Sequence, residues 1–145
     1  MAVHSSIIKQ LQRNTVALIS LVVAVTSLGY NTWRNEASEY NRNQRLVSIE
    51  VLRNLGQLQQ VIFHRHYDMD ETDKGNARTG WAIVLTIRDL ATVMEEPLPA
   101  AAENLRLVWD EDWQGLGSDQ PGFDRIMAEI DALRSAVRAL LHNLD

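Results

Sequence analysis

Between Arg13 and Arg34 the chain reads NTVALISLVVAVTSLGYNTW, twenty residues without a charged side chain. As a helix this run spans about 30 Å, the thickness of a bilayer's hydrocarbon core. Its strongly apolar part is Val16–Leu28. Asn14, Asn31 and Thr32 fall where headgroups would lie, and Tyr30 and Trp33 fall where amphipathic rings favour the interface. Three structures accommodate such a run. It is an uncleaved membrane anchor, an export signal cut after Val25-Thr26-Ser27, or a buried core helix. The core-helix reading lacks the polar face that a soluble helix carries. The signal reading leaves Leu28 and Tyr30 beyond the cut. The anchor reading is adopted, with residues 14–33 in the bilayer and Arg13, Tyr30, Trp33 and Arg34 at its two interfaces.

The charge distribution agrees. All 19 acidic residues lie at or after Glu36, so the first 33 residues carry +2 (Lys9 and Arg13) and the remainder −7. A short basic head, 1–13, is expected to stay cytoplasmic, because Lys and Arg next to a span are retained there. The acidic body is then extracytoplasmic, on the periplasmic side of the inner membrane if the source is bacterial. An acidic body of this kind excludes binding to nucleic-acid backbones. The chain has no Cys, which removes disulfides, thiol nucleophiles and thiolate metal sites.

Beyond the span the sequence predicts an all-α protein. RNEASEYNRNQR, residues 34–45, holds only Ala37 and Tyr40 as apolar side chains and is expected to be a polar helical stalk. From Leu46 an apolar stripe appears at Val51, Leu55, Leu58 and Ile62, in 4-3-4 spacing. DMDETDKGNARTG is a loop. Thr79 is the expected N-cap of a second helix, about 81–95, with Val84, Ile87, Ala91 and Met94 inward. EPLP ends it, and a third helix runs over about 100–115. The last helix, about 122–144, repeats apolar residues with coiled-coil spacing from Phe123 to Leu144. Two helices of 22 residues, over 46–67 and 123–144, flank two shorter ones. The lengths predict an antiparallel, up-down-up-down four-helix bundle over 46–145, displayed on the stalk.

Candidate chemistry is sparse. HRHYDMDETD is the one cluster with metal-ligand atoms: His64 with Asp68 and His66 with Asp70, each i,i+4. The pairs are offset by two residues and point to nearly opposite sides of a helix, so a solvated helix end is expected and neither metal nor cofactor. WDEDW fans its carboxylates around a helix and is expected to be a charged outer face. Trp109 and Trp113, four residues apart, are either core fillers or anchors for a partner, and Trp81 poses the same choice. Gly56 sits inside a helix at a cost of about 1 kcal/mol relative to Ala, which would admit the close approach of another helix, either within the bundle or from a second copy. No catalytic constellation is present. The function expected is non-enzymatic: a bitopic protein whose bundle binds another envelope protein or itself. The alternative is an extracytoplasmic module that binds a small ligand or a metal.

Overall fold

The computed structural model describes the backbone of residues 2–144 and the side chains of residues 14–144. The side chains of the basic head, Arg13 among them, lie outside the described residues. All regular structure in the described range is helical: α1 Ala2–Tyr67, α2 Ala77–Ala91, α3 Leu98–Asp112 and α4 Gln120–Asn143, with one 3-10 turn at Trp113–Gly115. The chain divides after Asn41 into two compact units.

In the first unit α1 is unbroken. Its eight large aliphatic side chains from Val16 to Leu28 are 57–69% exposed. This is a helix long and apolar enough to cross a membrane, near the N-terminus, with a mean hydropathy of 1.5 in its most apolar window and none of that window buried by protein. Thr32 Oγ1 donates to the Leu28 carbonyl at 3.0 Å, so its hydroxyl is satisfied one turn back.

The second unit, from Arg42 on, has one hydrophobic core. α1 contributes Val51, Leu55, Leu58 and Ile62, and α2 contributes Val84, Ile87 and Ala91. α3 adds Leu98, Ala102, Leu105 and Trp109, and α4 adds Phe123, Ile126, Ile130, Leu133 and Val137. Each set follows the 3-4 periodicity of one helix face, so burying it removes one stripe per helix from water. The core face of α1 begins earlier than the apolar stripe, at Gln44 and Ser48, both buried. Contacts that tie α1 to the last part of the chain include Arg45 Nη2 to the Leu144 carbonyl, Arg134 Nη2 to Gln59 Oε1 at 2.7 Å, and His66 to Gln120. Gln44 Nε2 also donates to the Val93 carbonyl at 2.9 Å.

Helix boundaries differ from the sequence reading where capping decides them. α2 starts at Ala77, not Trp81, because Asn76 rather than Thr79 is its N-cap: Asn76 Oδ1 accepts the Arg78 N–H at 2.9 Å. It ends at Ala91, not Glu95. There the Thr92 N–H and hydroxyl both turn back onto Asp89 O, and Met94 is still buried, on the turn rather than the helix. α3 starts at Leu98, with Pro99 within its first two positions, where a missing N–H costs nothing. It stops at Asp112 and tightens into the 3-10 turn. α4 starts at Gln120, with Pro121 in its first turn.

Two glycines are dictated by packing. A Cβ on Gly80 would stand 2.4 Å from the Trp109 ring, and one on Gly75 would stand 2.0 Å from the Asp70 carbonyl oxygen. Gly56 is the opposite case. A Cβ there would meet nothing within 4 Å. The close helix approach expected at Gly56 is therefore absent from the core, because this residue lies off the buried stripe.

Candidate functional site

Trp109 is 1% exposed, and its ring lies over Gly80 with Trp81 edge-on at 6.4 Å. It is a core residue and presents nothing to a partner. Trp81 and Trp113 are half-buried and pack against that core. Tyr30 and Trp33 are exposed, with ring centroids 6.2 Å apart, and Arg34 is exposed next to them.

The structure does not gather His64, His66, Asp68 and Asp70. His64 Nδ1–H donates to Asp68 Oδ2 at 2.6 Å, a local pair on the surface. His66 points inward instead. It stacks on Phe123 at 4.1 Å, its Nδ1 accepts the Gly117 N–H at 3.1 Å, and its Nε2 faces Gln120 Oε1 at 3.2 Å. Both ring nitrogens are thereby used to fasten the segment before α4. Asp70 is occupied by backbone, accepting the N–H groups of Thr72 and Asp73 on Oδ1 and of Lys74 on Oδ2 at 2.9–3.0 Å. Among the described residues no three His, Asp or Glu side chains converge as a metal site would require. In WDEDW, Asp110 and Glu111 face solvent, but Asp112 turns inward. It is buried and takes Arg125 on both oxygens. The outer-face reading fails for Asp112 because its partner lies 13 residues away, on α4.

The backbone N–H groups of Asp73 and Thr72 hold the Asp70 carboxyl below its ordinary value near 3.8. A lowered folded-state value means that this contribution to stability is complete above the ordinary value and is lost as pH falls through the lower one. Asp70→Ala is expected to raise amide exchange at Thr72, Asp73 and Lys74 at least tenfold at neutral pH. It should also abolish the acid-induced loosening of this loop that is expected of the wild-type chain. Hydrogen exchange followed by NMR at pH 7 and below pH 4 checks both.

Two surfaces remain with a composition that sets them apart. The first is the outward face of α1, at Leu46, Ile49, Arg53, Gly56, Gln60, Phe63 and Tyr67. These positions alternate in 3-4 steps for 22 residues, opposite the core stripe. Leu46, Ile49 and Tyr67 are 59–64% exposed. The Arg53 guanidinium folds back onto Glu50 Oε1 at 2.6 Å, so its charge is met within its own helix.

The second is a groove between α1 and α2, with a volume of about 750 Å3. Val61 and Ile83 form its apolar wall; Gln57, Gln60, His64, Lys74 and Thr79 supply polar groups. The sequence held no local signal for this groove, because its walls come from α1, the loop and α2. No protein family, no curated protein and no solved structure matches the chain.

Proposed function

We propose that the chain is a bitopic membrane protein with a non-enzymatic role. In this reading the apolar stretch of α1 crosses the bilayer, and the unit from Arg42 on is an antiparallel, up-down-up-down bundle on the extracytoplasmic side. The bundle pairs with a second copy along the outward face of α1. Eight aliphatic side chains exposed between Val16 and Leu28 carry the membrane assignment, since no protein covers them and water would leave all of them hydrated at a large cost. Lys9 and Arg13 set the orientation. The bundle topology draws on the order of contacts, which rises along α1 (Arg45, Gln59, His66) as it falls along α4 (Leu144, Arg134, Gln120).

A second copy suits the outward face for two reasons. Copies threaded through one membrane in one orientation present α1 in parallel, which is the geometry a 3-4 seam requires. Gly56, open on this face, lets two backbones approach without a Cβ in between.

The absence of Cys makes the test clean. A single Ile49→Cys substitution, oxidised in native membranes, is expected to give a disulfide-linked dimer, because facing seam positions bring Cα atoms within about 7 Å. Val93→Cys, equally exposed but off the seam, is expected to give at least tenfold less. Equal yields from the two sites, or none from Ile49→Cys, would remove the pairing proposal.

A further inference from the structure

We propose that the groove between α1 and α2 binds a small organic anion, a carboxylate carried on an apolar body. The first reason is charge. The body of the chain carries 19 acidic against 12 basic residues, yet none of the groove's lining residues is acidic. Three of the four acids of the adjoining loop are turned to other work: Asp68 holds His64, Asp70 holds the backbone of its own turn, and Glu71 Oε1 lies 3.3 Å from Arg65 Nη2. The lining itself contributes one cation, Lys74. Among the described residues Lys74 makes no ion pair, although it stands on an acidic surface.

The second reason is that these groups are placed rather than loose. The Lys74 N–H is bonded to Asp70 Oδ2 at 2.9 Å, and the next residue, Gly75, is buried where its Cα faces the Arg65 backbone too closely for any side chain. The base of the lysine is thus fixed, and only its stem is free to swing over the groove. His64 is oriented by the bond from Nδ1–H to Asp68, which leaves Nε2 as an acceptor for a donor on the ligand's body, not for its carboxylate. The Gln57 amide and the Thr79 hydroxyl make no hydrogen bond with any described residue, and so retain their donors for an incoming oxygen.

The third reason is shape. The volume falls within the range of small-molecule sites. Val61, itself buried, and Ile83 offer an apolar wall broad enough for one ring or a branched alkyl group, while the polar groups gather round it. An anion of this kind meets Lys74 with its carboxylate and the wall with its body. A groove open to solvent binds in the millimolar to micromolar range, as a sensing site for an abundant metabolite would. The inference draws on the second unit alone, so failure of the α1 pairing leaves it standing.

The test is an NMR titration of the full-length chain in detergent micelles with para-hydroxybenzoate, against para-hydroxybenzamide as its neutral counterpart and inorganic phosphate as a purely inorganic anion. Saturable shifts confined to His64, Lys74, Thr79 and their neighbours are expected with para-hydroxybenzoate. Para-hydroxybenzamide and phosphate should each bind at least tenfold more weakly. Lys74→Gln should weaken para-hydroxybenzoate binding at least tenfold with the core resonances unmoved, and Lys74→Arg should restore most of it. No saturable shift, equal binding of the neutral amide or of phosphate, or undiminished binding by Lys74→Gln would each overturn the proposal.

Discussion

Replacing Trp109 by alanine is expected to destabilise the bundle by about 4 kcal/mol, within the range for deleting a buried aromatic side chain. The ring is the largest fully buried side chain in the core. It touches α2 at Gly80 and Trp81. One feature of the site trims the cost. The Trp109 Nε1–H is buried without a hydrogen-bond partner, so truncation also removes an unpaired donor worth about 1–3 kcal/mol of desolvation. Phenylalanine at this position keeps most of the burial without the donor and is expected to cost far less, under about 2 kcal/mol. The mate of Trp109 supplies an internal control. Gly80→Ala alone should cost about 2 kcal/mol, since its methyl carbon would overlap the indole at 2.4 Å. Combined with Trp109→Ala it should cost nothing further, because the methyl then enters space the ring has vacated. A coupling of about 2 kcal/mol between residues 29 positions apart is the measurable outcome. Urea unfolding of the chain and its three variants in detergent reads it directly. Strict additivity would mean that the contact is not what sets the glycine.

That pair also marks where sequence reasoning stops. The inward faces of α1, α2 and α4 were legible, because burying one face of a helix imposes a 3.6-residue period that survives any detail of packing. The pairing of His64 with Asp68 was legible too, since i,i+4 neighbours meet on any helix. His66 was not. Its counterpart at i+4, Asp70, lies beyond the end of α1 and serves its own turn, while the groups that fix His66 are 51 to 57 residues away at Gly117, Gln120 and Phe123. Asp112 belongs to the same class: its reading as one of three outward carboxylates failed because Arg125 comes from another helix. Helix starts failed for a smaller reason. Asn76 and Thr79 both belong to residue types that cap, and only the path of the preceding loop chooses between them. Gly56 illustrates the converse. A helical glycine reads as a close approach, yet α1 leaves this one on its open face, where an approach can come only from outside the bundle.

The span offers the other large effect. Substituting Leu21→Arg and Val25→Arg together is expected to raise the cost of membrane insertion by about 6–7 kcal/mol. Each arginine at the centre of a span adds about 2.5–3.5 kcal/mol, and each replaced aliphatic residue had contributed a few tenths in the other direction. That is roughly a ten-thousandfold to hundred-thousandfold shift in partition, enough to move the chain from the carbonate-resistant membrane fraction to the soluble one. The second unit should be unaffected by this change. The buried face of the second unit begins only at Gln44, well past both substituted positions, so the double variant should retain the cooperative unfolding of the parent. A double variant that stays in the carbonate-resistant pellet would argue against a bilayer-spanning α1. The mass of the membrane-associated wild-type chain separates the two export readings. An anchor keeps its residues before Ser27, whereas a cleaved signal sheds them, and a shed chain would lose both its attachment and the lateral confinement that makes pairing along α1 favourable. Insertion and pairing are therefore one prediction in two measurements. If the arginines release the chain, the Ile49→Cys dimer should fall with it by at least tenfold, because seam contacts that suffice for copies held in one membrane are dilute in solution.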